Sequence, residues 1–158
     1  MDYKKINRRN FIKQSTFASA SLAFMSSGIS ASTKKFPNLR LGVIGTGLRG
    51  QWMTNLCLLR NDVDIKAICD IDSEMINKTL NIIKKEGGKP PDVYKNGQHD
   101  FLNLVQRDDL DAVYIATPWE WHHPMAIAAM KQGKHVGVEC PAALKIKDLW
   151  DLVNVSEK

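Results

Sequence analysis

The chain has 158 residues, 44% of them hydrophobic and 25% charged, with a formal net charge of +5. That is enough chain for one domain with its own core. Seven of the 22 Lys/Arg but only one of the 17 Asp/Glu fall within residues 1–35, so that segment carries +6 and the rest −1; the basic surplus belongs to a leader, and the folded part has none with which to bind nucleic acid. The three cysteines, Cys57, Cys69 and Cys140, are odd in number and lack metal-ligand spacing, which argues against a disulfide framework and supplies no metal site. Cys57 and Cys69 fall on a predicted helix and strand and read as buried thiols.

Residues 1–32 are set apart from the fold. Asn7-Arg8-Arg9-Asn10-Phe11-Ile12-Lys13 resembles the twin-arginine export signal: a polar residue, two arginines, any residue, Phe, an aliphatic residue and often Lys. Residues 15–31 are weakly apolar and rich in Ala and Ser, too short and too polar for a stable membrane span. Ser30, Ala31 and Ser32 offer a cleavage site. The alternative is a disordered basic tail. The resemblance implies the export machinery as a partner and a periplasmic or secreted location.

From residue 33 onward strands and helices alternate. Residues 39–45 form the first strand and 48–60 the first helix, with Trp52, Met53, Leu56 and Leu59 on one face. Residues 63–69 are the second strand. Ser73 caps a helix of about fourteen residues, with Met75, Ile76, Leu80 and Ile83 apolar, and Gly87-Gly88 ends it. Pro90-Pro91 marks a loop, Val93-Tyr94 a short third strand, and residues 100–107 a short helix. Residues 112–116 are the fourth strand, 124–132 a helix ended by Gly133, 135–139 the fifth strand, and 145–155 the start of another helix. This series predicts an α/β fold, a doubly wound parallel sheet of the Rossmann kind. No sixth strand and no second α/β domain to cover the carboxyl ends of the strands are visible. Residues 33–158 therefore read as an incomplete dinucleotide-binding domain whose substrate domain is missing, and a truncated or split coding sequence is the preferred explanation.

The organising stretch is Leu39-Arg40-Leu41-Gly42-Val43-Ile44-Gly45-Thr46-Gly47-Leu48-Arg49-Gly50. A buried parallel strand runs straight into G-x-G-x-x-G and a helix, the context that gives this motif meaning. Gly45 permits the tight turn, Gly47 lets the backbone approach a pyrophosphate, and Gly50 lets the helix pack close to the strand. The helix start offers free N–H groups to phosphates. Asp70, twenty residues beyond Gly50, closes the second strand, where an acid accepts hydrogen bonds from an adenosine ribose. An acid there favours NAD over NADP, because it repels a 2′-phosphate; Arg49 softens that preference.

Two further segments follow strand ends: Ile115-Ala116-Thr117-Pro118-Trp119-Glu120-Trp121-His122-His123-Pro124, and Gly133-Lys134-His135-Val136-Gly137-Val138-Glu139-Cys140-Pro141-Ala142. With the glycine turn they resemble the Gfo/Idh/MocA oxidoreductases, which show G-x-G-x-x-G, then T-P-x-x-x-H, then G-K-H-V-x-x-E-K-P. The match runs over residues 39–158 in order and spacing. Within that superfamily, the Trp-Glu-Trp-His run and Arg49 look like the exported glycoside hydrolases of family 109, NAD-dependent α-N-acetylgalactosaminidases. The oxidoreductases usually carry Lys where this chain has Cys140, and a thiol cannot replace an ammonium as charge or donor. Cys140 fits the hydrolase branch better and reads as a small hydrophobe rather than a nucleophile.

The resemblance implies NAD as cofactor and a sugar as substrate of the full-length form. It implies backbone contacts to the pyrophosphate from Gly45, Thr46, Gly47, Leu48, Arg49 and Gly50, and a ribose contact from Asp70. Thr117 and Pro118 lie where the nicotinamide side begins. His122 aligns with the family's histidine, or else is a helix-start residue hydrogen-bonded locally; Glu139 resembles the family's glutamate near the nicotinamide ribose, or else is a buried, satisfied strand-end acid. Cys140, beside it, is counted with the cofactor-binding residues. Trp119 and Trp121 wall the cofactor or sugar, or else fill a domain interface; Glu120 accepts from a ribose hydroxyl, or else is a solvated loop charge. It also implies an unusual hydrolysis: oxidation at C3 of the sugar, elimination of the glycosidic oxygen, addition of water and return of the hydride. Twin-arginine export carries folded proteins, which suits a chain that must enclose its cofactor inside the cell. No catalytic residue is assigned, since the family's acid–base groups lie in the second domain, and the 158-residue chain is expected to bind NAD weakly at best and to be inactive. The competing readings are an exported sugar dehydrogenase and a non-catalytic nucleotide-binding module; a homo-oligomer is open in each.

Overall fold

A computed structural model describes residues 37–158. The export motif and cleavage site of residues 1–32 lie outside them. Five strands form one sheet: β1 (Leu39–Ile44), β2 (Val63–Cys69), β3 (Asp92–Tyr94), β4 (Ala112–Ile115) and β5 (His135–Val138). Their order is β3-β2-β1-β4-β5, and every neighbouring pair is parallel. Five helices alternate with them: α1 (Leu48–Leu58), α2 (Ser73–Lys85), α3 (Phe101–Val105), α4 (Trp119–Lys131) and α5 (Ile146–Ser156).

The alternation of side chains along β1 divides the core in two. Leu41 and Val43 point to one face and pack with Ile65, Ile68, Cys57, Ile76 and Ile83, beneath α1 and α2. Ile44 points to the other and packs with Phe101, Leu104, Ile115, Met125 and Ala129, beneath α3 and α4. Helices on both faces make the sheet doubly wound, as the strand–helix series predicts. The chain winds outward from β1 through β2 to β3, then returns to β4 on the other side. That reversal between β1 and β4 opens a crevice at their carboxyl ends, the place where such sheets receive ligands.

Three local expectations change. The cap of α2 is Asp72, not Ser73: its carboxylate accepts from the backbone of Glu74 at 2.8 Å and Met75 at 3.3 Å. Helix α4 begins at Trp119, a full turn before the predicted start, and carries Pro124 inside it. Pro124 sits in the sixth position, past the four open N–H groups of the N-terminus, so the helix forgoes the bond to the Glu120 carbonyl there. Trp52 and Leu56 of α1, and Leu59 just after it, face outward, 48, 37 and 70% exposed, while Met53 of the same predicted face packs against the core. The helix turns Gly50, Thr54 and Cys57 inward instead, because Gly50 has to sit against β1.

Candidate functional site

The glycine turn links β1 to α1, and each glycine has a different physical cause. Gly45 has φ +90°, and a Cβ there would lie 2.5 Å from the carbonyl oxygen of Ala116. Gly50 brings α1 onto the turn: a Cβ would lie 1.9 Å from the carbonyl oxygen of Gly45. Gly47 differs from both. Its backbone is ordinary, φ −63° and ψ −170°, and a Cβ would meet nothing within 4 Å. The described protein gives no reason for glycine there; a bound group lying against the main chain would.

Gly47 also begins α1, which has no side-chain cap and no acid in its first turn. Its first amides are left open beside a positive helix end, an arrangement that favours anions. Next to it, Asp70 closes β2. Its Oδ2 accepts from the backbone N–H of Thr46 and, at 2.9 Å, from the Thr46 hydroxyl; its Oδ1 accepts from the N–H of Asp72 at 2.9 Å. Asp70 thus ties the glycine turn to the end of β2 while still facing the crevice.

The crevice is a cavity of about 490 Å³. Gly45, Gly47, Leu48, Arg49, Asp70, Thr117, Pro118 and Trp121 line it, so the structure brings these eight predicted residues together. Ile71, Asp72, Met75, Gly97, Gln98 and Met125 join them without having been singled out. The loop after β3 supplies Gly97 and Gln98; the rule that ligands meet the carboxyl ends of strands was the available signal. A second cavity of about 510 Å³ lies among Leu58, Lys66, Gly87, Lys89, Asp92 and Arg107. Volume does not separate the two. The first has uncapped amides and an unexplained glycine, whereas in the second Arg107 is already paired with Asp92 and Asp109.

The other predicted residues stand outside the lining. Thr46 and Gly50 are buried in the turn itself. His122 is 1% exposed, and its Nδ1 and Nε2 lie 2.8 Å from the carbonyl oxygens of Pro141 and Thr117. It pins the loop after β5 to the loop after β4, shaping the crevice wall through Thr117. Trp119 and Glu120 are exposed on the first turn of α4. Trp121 packs edge-on against Phe101, centroids 6.2 Å apart, and reaches the cavity from there. Cys140 is exposed and fills no core position among the described residues, while Cys57 and Cys69 are buried. Burial pushes the Cys69 thiol up to about 12, which keeps it protonated and unreactive.

Glu139 forms a second polar cluster behind the turn. It accepts from the Tyr114 hydroxyl and from Arg49 Nε, the latter at 2.6 Å. The Tyr114 bond first and the Arg49 bond second hold its carboxyl below the usual range. Burial, with Glu139 alongside, pushes Tyr114 up to about 12, so the proton stays on the phenol.

Comparison with known proteins agrees with this geometry. A family model, GFO_IDH_MocA, described as an oxidoreductase family with an NAD-binding Rossmann fold, matches residues 39–158. A glycosyl hydrolase family 109 protein of Saccharopolyspora erythraea is 48% identical over 120 residues, which is 76% of this chain and 26% of that protein. An alpha-N-acetylgalactosaminidase of Tannerella forsythia is 43% identical over 168 aligned positions, 95% of this chain and 36% of its own length. Among solved structures, scyllo-inositol dehydrogenase from Lactobacillus casei with bound NAD(H) and scyllo-inositol aligns with TM-score 0.63 at 24% identity, over 75% of this chain and 32% of that one. The chain spans about a quarter to a third of the length of these proteins.

Proposed function

Because the chain belongs to the Gfo/Idh/MocA oxidoreductase family, whose Rossmann fold binds NAD, we propose that it is the dinucleotide-holding part of an NAD-dependent glycosidase of the family 109 type. Gly47 carries the nucleotide part of this reading: a glycine in an ordinary conformation, with open space where its Cβ would be, at the uncapped start of α1. The two relatives named above support the glycosidase part.

The cofactor's chemistry, when bound, is reversible acceptance of a hydride from C3 of an N-acetylgalactosaminide, which makes elimination and rehydration at the glycosidic bond accessible. The residues of this chain hold and orient. Backbone amides at Gly47–Gly50 and the guanidinium of Arg49 would meet the diphosphate, Asp70 the adenosine ribose, and Thr117 and Pro118 the nicotinamide side. By this route the chain's residues would only hold and orient the bound group, and no pair of carboxylates would be needed for the hydrolysis.

The test is an assay of the polypeptide that carries this chain at the length of its relatives, on p-nitrophenyl α-N-acetylgalactosaminide. Release of nitrophenol without net NADH is the expected result. NADH accumulating in step with oxidation of a free sugar would make the protein a sugar dehydrogenase instead; Cys140, standing where such enzymes usually carry Lys, speaks against that. Export belongs to the same proposal: Arg8 and Arg9 would route the folded protein to the periplasm or beyond. Changing both to Lys should retain a reporter fused behind residues 1–36 in the cytoplasm.

A further inference from the structure

This inference rests on the nucleotide reading above and concerns how the chain aims Arg49. The residue lies on the first turn of α1, its side chain 55% exposed, and two contacts fix its guanidinium. Trp52, one turn further along the same helix face, holds the flat side: the guanidinium carbon is 4.4 Å from the centroid of its ring. Glu139, after β5, takes one edge through Nε at 2.6 Å. Glu139 is itself held, since the same Oε1 accepts from the Tyr114 hydroxyl on β4. Gly137 makes room for that ring; a Cβ there would come within 3.2 Å of Tyr114 Cδ2.

Only Nε is used. Among the described residues no hydrogen bond engages either Nη of Arg49, and the side chain lines the nucleotide crevice. An exposed ion pair of this kind adds little to stability, so the arrangement calls for another explanation. An arginine fork fits two phosphate oxygens at once, and a fork ordered before binding loses less entropy when it binds. The geometry points to Trp52, Glu139 and Tyr114 as positioning residues that hold the two free Nη groups of Arg49 toward the diphosphate of a dinucleotide in the crevice. Trp52 is the plate, Glu139 the edge anchor, and Tyr114 the support of that anchor.

The experiment titrates the full 158-residue chain with NAD⁺ and, separately, with adenosine, following backbone amide shifts by NMR. Trp52→Leu and Tyr114→Phe should each raise the Kd for NAD⁺ about three- to tenfold and leave that for adenosine within about twofold. Arg49→Lys keeps the charge but loses the fork, and should weaken NAD⁺ as much as Arg49→Ala does. Unchanged NAD⁺ affinity in both Trp52→Leu and Tyr114→Phe overturns the proposal and leaves the nucleotide reading standing. So does an Arg49→Lys variant that binds like wild type, since charge alone would then suffice. Equal losses for NAD⁺ and adenosine also overturn it, because the crevice, and not the aim of one side chain, would have changed. Amides of the wild type that do not respond to NAD⁺ at all would remove the nucleotide reading itself.

Discussion

Helices α1 and α2 follow adjacent strands and cover the same face of the sheet, yet they are stabilised in opposite ways. Helix α2 is capped by Asp72, carries Glu74 in its first turn and Lys84 and Lys85 in its last, and pairs Glu74 with Lys78 at 2.8 Å. It buries Ile76 and Ile83 beneath a polar outer face. Helix α1 has no side-chain cap, no acid in its first turn and no base in its last. Leu48, Trp52 and Leu56 point outward while only Met53 and Leu58 of its large apolar residues pack against the core, and the hydroxyl of Thr54 is buried without a hydrogen-bond partner. The contrast teaches what α1 is for. A capping acid would satisfy its open amides and place negative charge where an anion has to come. Helix α1 forgoes that stabilisation, and the N-terminus stays free.

The comparison can be broken at its strongest point first. Gly50→Ala pushes a Cβ to 1.9 Å from the Gly45 carbonyl oxygen, backbone that cannot yield cheaply. A loss on the order of 3 kcal/mol is expected in urea or thermal unfolding. Gly47→Ala is the counterpart: with open space around it, stability should stay within about 0.5 kcal/mol. Its NAD⁺ affinity should nonetheless fall about tenfold or more, measured by calorimetry. Equal effects of the two substitutions on both readouts would erase the distinction between a structural glycine and a ligand-facing one.

Smaller effects sharpen it. Asp72→Ala removes the cap of α2 and should cost about 1 kcal/mol, with little change in NAD⁺ affinity. Thr54→Val keeps the shape of the side chain and deletes the unpartnered hydroxyl, so α1 should gain about 1 kcal/mol, a rise in stability where most core substitutions bring a fall. The smallest effect lies away from both helices. Arg40 holds Asp111 at about 2, through its side chain first and its backbone N–H second, against an ordinary value of 3.8. The depressed carboxyl stabilises the fold fully above its ordinary value, and that contribution is lost as pH falls through about 2. Asp111→Asn should therefore differ most from wild type above about pH 4 and converge with it toward about pH 2, seen in urea midpoints across that range.

Local chemistry alone makes much of this molecule legible in its sequence. Strands of β-branched residues, helices broken by Gly87 and Gly133, and the Gly45–Gly50 turn set the element order and the α/β class, because periodicity and turn chemistry act over a few residues. Asp70 was legible for the same reason, being a strand-end acid at a fixed distance from the turn. Apolar spacing places Trp52 on one face with Leu56 and Leu59, and such spacing on a helix ordinarily marks the buried side. The close approach of Gly50 to β1 overrode that spacing and rotated Trp52 outward, under Arg49. His122 matched a motif, but its two carbonyl partners come from loops nineteen and five residues away.

By itself, then, the order of residues determined the strands, the helices and the glycine turn, which follow from short-range sterics and hydrophobic pattern, and it carried the motifs through which the chain resembles its family. Only the tertiary structure decided which side chains share the crevice and which brace it from behind. Arg49, Tyr114 and Glu139 are sixty-five and twenty-five residues apart in sequence, and their meeting depends on the β1–β4–β5 order of the sheet. No local propensity encodes that order; it follows from how two layers of helices bury both faces of one parallel sheet.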